Sequence, residues 1–100
     1  MSEAAYSVDA ADTQRDLGRA LAALRAKSGL TQEQLAARLG VDPTYVSQVE
    51  RGRRGVRWYT VVRFLTALEA TTHQLADQLE TKGAREGSTI PSNARGIARV

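Results

Sequence analysis

Hydrogen-bonding side chains recur at helical spacing along one short segment of the chain. They are Thr44, Ser47, Gln48 and Arg51. At about 100° per residue, Thr44, Gln48 and Arg51 fall on the side of a helix opposite Val46, and Ser47 lies beside them, so we expect the four side chains to be exposed. Glutamine can pair with adenine and arginine with guanine through two hydrogen bonds each, while serine and threonine reach base edges or phosphates. The segment is therefore suited to reading the major groove of double-stranded DNA, with an ordinary solvated helix face as the alternative.

A run of arginines continues directly from this segment. Its first members are Arg51, Arg53, Arg54 and Arg57. The wider range 51–63 contains five arginines and no acid. Contacts from arginine to phosphate give an affinity that depends on salt and carries no sequence information. We expect this run to hold the DNA backbone, whereas a similar run standing alone would be a solvated face.

The elements that must position these side chains are two short helices joined by a tight turn. Thr31, with Gln34 three residues later, has the spacing of a capping box and predicts the start of the second helix, which Gly40 ends. Asp42 then caps a third helix whose first residue is Pro43, where a missing N–H has no cost. Only about three residues separate the two helices, so their axes must cross sharply, as in a helix-turn-helix.

The first helix is predicted from the spacing of leucines. Leu17 and the leucines four and seven residues later form one stripe, which predicts a helix over about 13–27. Asp12 or Thr13 is its expected cap. Residues 1–12 have no apolar period, and we predict them to be flexible.

Two more helices are predicted after the arginine run. The apolar stretch that begins at Trp58 predicts a helix over about 58–69. We expect Trp58 in the core, with a dimer contact as the alternative. Thr72 is the expected cap of a fifth helix over about 73–80. The remaining segment, 81–100, is predicted to be a flexible basic tail because it has scattered polar residues and no period.

Composition excludes several classes of function. The chain has 100 residues, enough for one domain, which we place at 13–80. Cysteine is absent, which excludes a disulfide framework and a thiol nucleophile, and we expect the one histidine, His73, to be exposed. Without a glycine-rich phosphate loop or a nucleophile elbow, we expect no enzyme activity, metal or cofactor. No apolar run approaches membrane-spanning length and the N-terminus is acidic, so we expect a cytoplasmic protein without membrane contact.

Two long stretches of the chain resemble a known protein family. The stretch LGRALAALRAKSGLTQEQLAARLGVDPTYVSQVERGRR, followed by WYTVVRFLTALEATTHQLADQL, resembles the phage-repressor and Cro-like helix-turn-helix family, often called XRE-like. The resemblance covers about residues 15–79. It implies an all-α fold, the compact five-helix lambda-repressor-like DNA-binding domain, with the third helix as recognition helix.

The resemblance also implies roles for single positions. Thr44 and Gln48 match base-reading positions, and Ser47 matches a position that the family uses variably. Gln32 matches a glutamine that contacts a phosphate and braces the recognition helix. In all, we expect contacts with the DNA backbone from Gln32, Tyr45, Arg51, Arg53, Arg54 and Arg57.

An inward-facing ion pair is expected as well. Arg25 and Glu50 match a buried pair that ties the first helix to the third in the family. Helical spacing independently places Glu50 at the inner edge of the third helix, where an unpaired carboxylate would be costly. We therefore expect a structural role for this pair.

Two hypotheses about function follow. The first is a sequence-specific transcriptional regulator, a repressor that binds a palindromic operator as a homodimer, because one recognition helix reads only a few base pairs. Leu75 and Leu79 are candidates for the dimer interface, and a place in the core is the equal alternative. The second hypothesis is an antitoxin or adaptor that chiefly binds a protein partner through residues 81–100, with DNA binding secondary.

Overall fold

The computed structural model describes residues 9–86, and it describes side chains for residues 9–81. These residues form five helices and no strand: α1 (Ala10–Lys27), α2 (Gln32–Leu39), α3 (Pro43–Glu50), α4 (Trp58–Leu68) and α5 (Thr72–Glu86). The all-α, five-helix architecture is thereby confirmed. Most of the segments predicted to be flexible, 1–12 and 81–100, lies outside the described residues, and so does most of the tail proposed to bind a protein partner.

α1 begins three residues before its predicted start. Asp9 is its cap, because one carboxylate oxygen accepts hydrogen bonds from the amides of Ala11, at 2.8 Å, and Asp12, at 3.3 Å. The prediction of a cap at Asp12 or Thr13 is wrong. Asp12 lies instead in the first turn, where the helix dipole favours an acid. Apolar periodicity could not reveal this extra turn, because the alanines that open it have little apolar contrast.

α5 is longer than predicted at both ends. Its cap is Thr71, whose hydroxyl accepts from the amide of Gln74 at 3.1 Å, while the Gln74 side chain accepts from the amide of Thr71 at 2.7 Å. The predicted cap, Thr72, is instead the first helical residue. The helix continues through Gly83 to Glu86, since one glycine weakens a helix by only about 1 kcal/mol relative to alanine.

One apolar core holds the helices together. Its largest fully buried side chains are Phe64, Leu21, Leu35, Val46 and Val49. Leu75 is 5% exposed and belongs to this core, which is one of the two alternatives for that residue. Trp58 is 63% exposed, so the expectation that it lies in the core is wrong. The inward stripe of α4 begins only at Val61, one turn later, and the first turn of the helix leaves Trp58 open to solvent.

Two glycines allow α1 to lie directly against the end of α3. A Cβ at Gly18 would lie 2.3 Å from the carbonyl oxygen of Val49 and 2.7 Å from that of Glu50. At Gly52, where φ is 73°, a Cβ would lie 2.6 Å from the Cα of Arg15. Neither contact was predictable from the sequence, because close approach between distant segments leaves no local pattern. The contact fixes the end of α3 and therefore the direction of its outer side chains.

Candidate nucleic-acid interface

Local hydrogen bonds fix α3 at both ends. Oδ1 of Asp42 accepts from the amide of Thr44 at 2.8 Å. This bond, together with one from the Thr44 hydroxyl, holds the pKa of the Asp42 carboxyl below its usual value. At the other end Gly52 is left-handed, and the amide of Arg53 donates to the carbonyl of Gln48 at 2.9 Å. The eight residues of α3 thus form a short rod with defined ends.

The hydrogen-bonding side chains along α3 and its C-cap form a row, termed the donor row, that consists of Thr44, Ser47, Gln48 and Arg51. This row is exposed to solvent at its two ends and half-buried in its middle. Thr44 and Arg51 are exposed, whereas Ser47 and Gln48 are half-buried. On the opposite side of the helix, Val46 is fully buried. Helical spacing therefore indicates on which side of α3 each side chain lies, but the degree of exposure of Ser47 and Gln48 depends on the surrounding helices.

Glu50, the acid of α3, is turned inward and paired. Nε of Arg25 donates to Oε2 of Glu50 at 2.6 Å, and Nη2 donates to Oε1 at 3.1 Å. The side chain of Glu50 is 6% exposed and that of Arg25 is 19% exposed. Arg25 also donates to the carbonyl of Leu30 at 2.8 Å, and its hydrogen bonding to Glu50 raises the pKa of the guanidinium. The pair joins α1 to α3 and neutralises the Glu50 charge inside the fold.

Gln32 belongs to the same network. This residue begins α2, and its Nε2 donates to Oε1 of Glu50 at 2.8 Å. One carboxylate therefore joins α1, α2 and α3, and Gln32 braces α3 through it. The sequence predicts the roles of Gln32 and of the ion pair separately, since nothing local shows that they share an acceptor. The contact of Gln32 with a phosphate stays a prediction.

Four exposed arginines form a basic surface beside the end of α3. This surface, termed the basic loop surface, consists of Arg51, Arg53, Arg54 and Arg57. Arg63 belongs to the same run in sequence and is also exposed, but its Nη2 donates to the carbonyl of Leu39 at 2.6 Å, which holds its guanidinium against the protein. Glu50 is the only acid in the range 43–57, and its side chain is buried. The segment therefore presents positive charge with no carboxylate of its own on the outside.

Tyr45 positions one of these arginines. The guanidinium carbon of Arg54 lies 5.0 Å from the centre of the Tyr45 ring, within the range of a cation–π interaction. Tyr45 is half-buried, and its ring centre lies 6.4 Å from that of Phe64 in the core. Tyr45 and Arg54 were each predicted to contact the DNA backbone, but their contact with one another was not predictable from the sequence. That Tyr45 itself contacts the DNA stays a prediction.

The other candidate residues lie on α5, apart from this segment. Leu79 is 37% exposed, and His73 is exposed near the start of the helix. Across residues 9–81, no three histidine or acidic side chains are grouped so that they could hold a metal ion. In the described part of the chain, no helix combines the length and the apolar character needed to cross a membrane.

Comparison with protein families and with curated proteins gives consistent results. A family model described as a helix-turn-helix domain matches residues 16–79. The chain is also 40% identical, over 57 residues, to a Sinorhizobium fredii protein named as the uncharacterized HTH-type transcriptional regulator y4dJ. This match covers 57% of the chain and 74% of the relative.

Several solved structures are similar in fold. The restriction-modification controller protein C.AhdI of Aeromonas hydrophila is 38% identical, with 64% of this chain and 97% of that chain covered and a TM-score of 0.60. The clp gene regulator ClgR of Corynebacterium glutamicum is 32% identical, with coverages of 68% and 87% and a TM-score of 0.64. A third is the controller C.Esp1396I, a tetramer in complex with its natural 35-base-pair operator, at 25% identity, coverages of 68% and 90%, and a TM-score of 0.63.

Proposed function

The chain belongs to the XRE-like helix-turn-helix family of transcriptional regulators, and on this premise we propose that it is a repressor that binds a palindromic operator as a homodimer. In this proposal α3 enters the major groove. Thr44, Ser47 and Gln48 read base edges. The basic loop surface, with Gln32 and Tyr45, holds the phosphates on either side.

The observation that carries this proposal is the charge arrangement around α3. The segment 43–57 directs four arginines and a row of neutral donors outward, while its single acid, Glu50, is paired inside the fold. A duplex is a uniformly negative surface whose major groove admits one helix, so an outward carboxylate on this segment would repel it. The inward pairing of Glu50 removes that repulsion and at the same time braces α3.

Two copies are proposed because one copy makes few base contacts. A row of three base-reading side chains covers only a few base pairs, and a two-fold pair of such domains would place recognition helices about 34 Å apart on one face of the duplex. The operator of such a dimer is a palindrome. The similarity to C.Esp1396I, a tetramer on its operator, supports assembly of several copies on DNA. Repression is proposed because a regulator that only occupies its operator already blocks transcription.

Selection of bound duplexes from a random pool tests this function, because it reports both the site and its symmetry. We expect an enriched inverted repeat with half-sites one helical turn apart. Eight arginines in a dimer set an upper limit of about 7 on the slope with which log affinity falls against log salt. No enrichment of any sequence, together with an affinity that salt leaves unchanged, would overturn the proposal.

A matched pair of variants tests whether the basic loop surface is the part of the protein that contacts DNA. Arg53→Ala removes a charge from the basic loop surface. Arg38→Ala removes the same charge from α2, where the guanidinium donates to the carbonyl of Ala67 near the far end of α4. We expect the salt slope to become shallower for the first variant only. An equal change in both variants would indicate a general charge effect and would contradict the proposed contact surface.

A further inference from the structure

The outer side of α4 presents a continuous exposed stripe with two aromatic rings. This stripe, termed the α4 outer face, consists of Trp58, Tyr59, Val62, Thr66 and Glu69. At about 100° per residue, its members fall within about 100° of one another around the helix axis. Trp58 is 63% exposed, Tyr59 62% and Val62 39%. The opposite side of α4 supplies Phe64 to the core, so the exposed rings are not needed to hold α4 in place.

Trp58 and Tyr59 give the α4 outer face a large exposed apolar area. A tryptophan or tyrosine side chain can bury about 150–250 Å², so the exposed parts of Trp58 and Tyr59 together offer on the order of 200–300 Å². A standard interface needs about 800 Å² from each partner, of which these rings would provide the apolar centre. By contrast, Leu79 on α5 lies near the exposed acids Asp77 and Glu80, and no tryptophan or tyrosine is exposed beside it among the described side chains of that helix.

The charges at the two ends of α4 have opposite signs. Arg57 precedes the helix and Glu69 ends it, and Glu69 is the only acid in the range 51–76. The 11 residues of α4 lie between them, and a rise over twelve positions separates the two by about 18 Å, so they cannot pair within one chain. Neither residue forms an ion pair within the described residues. An antiparallel second copy of α4 would place Arg57 of each copy near Glu69 of the other, which gives two symmetry-related contacts.

We propose that the α4 outer face is the docking surface for a second copy of this chain, with the two α4 helices antiparallel about a two-fold axis near Val62. Trp58 of each copy then packs over Thr66 of the other, and Arg57 of each copy lies within reach of Glu69 of the other. Arg63, which also lies near the axis, does not oppose its counterpart closely, because its guanidinium is held by the carbonyl of Leu39. This inference rests on the proposed homodimer and names its interface.

The single tryptophan of the chain makes the interface directly observable. In the wild-type chain without DNA, we expect the Trp58 emission to shift to the blue over the same concentration range in which sedimentation equilibrium shows monomers becoming dimers. Burial of the indole is the physical cause of the shift. Dimerisation with unchanged emission would place the interface elsewhere and overturn the proposal, as would a chain that stays monomeric at every accessible concentration.

A charged side chain at the axis gives a second test. Val62→Glu places two carboxylates opposite each other, and we expect it to raise the dimer dissociation constant at least 10-fold. Leu79→Glu, at a residue of nearly equal exposure on α5, is the matched control and should leave the constant unchanged. If Leu79→Glu disrupts the dimer and Val62→Glu does not, the α5 interface is correct and the α4 interface is wrong.

A charge exchange tests the antiparallel register. Arg57→Glu and Glu69→Arg each place like charges together in their own homodimers, and each should weaken dimerisation several-fold. A one-to-one mixture of the two variants forms a heterodimer in which both contacts pair opposite charges, so its dissociation constant should return to within about 2-fold of the wild-type value, on the scale of exposed ion pairs. A mixture no tighter than either variant alone would contradict the register.

The outcome for the interface and the outcome for the function can be told apart. All three dimerisation tests are done without DNA, so failure of DNA binding does not affect them. Conversely, Val62→Glu keeps the whole donor row and the basic loop surface. We expect it to bind a half-site duplex like the wild-type domain and to lose only the additional affinity for the complete palindrome. Equal affinity of wild type and Val62→Glu for the palindrome would overturn the α4 interface while leaving DNA binding established.

Discussion

Replacing Arg25 with alanine tests whether the Glu50 network holds α3 in place. The change removes two hydrogen bonds to Glu50 and one to the carbonyl of Leu30. Glu50, whose side chain is 6% exposed, then keeps only its hydrogen bond from Gln32. Removing one partner of a buried pair costs about 3–5 kcal/mol. We expect about 3 kcal/mol, the lower end of that range, because Gln32 remains and Arg25 is itself partly exposed.

The expected loss is readily measured. For a domain of this size, 1 kcal/mol corresponds to about 4–8 °C, so the melting temperature of Arg25→Ala should fall by about 12–24 °C. Urea denaturation at neutral pH gives the free energy directly, and calorimetry gives the temperature. The double variant Arg25→Ala with Glu50→Ala should be no less stable than Arg25→Ala alone, because it also removes the carboxylate that lost its partner.

Two results would refute this reasoning. A loss below about 1 kcal/mol would mean that the pair behaves like an exposed salt bridge and does not brace α3. Simple additivity of the Arg25 and Glu50 changes in the double variant would mean that the two side chains are not coupled. Arg38→Ala serves as the control, since this exposed arginine donates one hydrogen bond to a carbonyl and its loss should be small.

Four further changes are expected to separate DNA reading from folding. Gln48→Ala should weaken binding to the cognate site by about 1–3 kcal/mol and relax preference at one base pair, with the melting temperature unchanged; a large thermal loss would show that Gln48 is structural. Arg53→Ala should weaken binding to all duplexes alike and reduce the salt slope by about one per copy, and a loss confined to one sequence would contradict its backbone role. Gly18→Ala should destabilise the fold by about 1–3 kcal/mol in a denaturant titration, because the new Cβ meets the backbone of α3, whereas a glycine in an open helix would be stabilised by the same change. Asp42→Ala should lower the free energy of unfolding at neutral pH. Because the pKa of Asp42 is lowered in the folded state, the stability difference between wild type and variant is fully present above the ordinary pKa of about 3.9 and disappears as the pH falls below it. A stability difference that persists in strong acid would show that the carboxylate is not responsible.

The two helices of the turn were predictable because their signals lie within a few residues of one another. The amide of Gln34 donates to the hydroxyl of Thr31 at 3.0 Å and the Gln34 side chain accepts in return, as the capping-box spacing predicts. Gly40 ends α2 in the left-handed conformation, and Asp42 caps α3. Each of these features joins residues at most three or four positions apart, so the amino-acid types alone report them. The same locality led to the misplaced caps of α1 and α5, where neighbouring residues of suitable type compete.

The sequence by itself determined the helices, the tight turn and the side of α3 on which each residue lies, since all of these arise from contacts within one or two helical turns. Only the tertiary structure decided that Glu50 is shared by Arg25 and Gln32, that Arg54 stacks on Tyr45, and that Gly18 lets α1 touch the end of α3. It also decided that Trp58 is exposed. These features depend on how segments far apart in the chain pack against one another. A residue's type and its near neighbours carry no record of that packing.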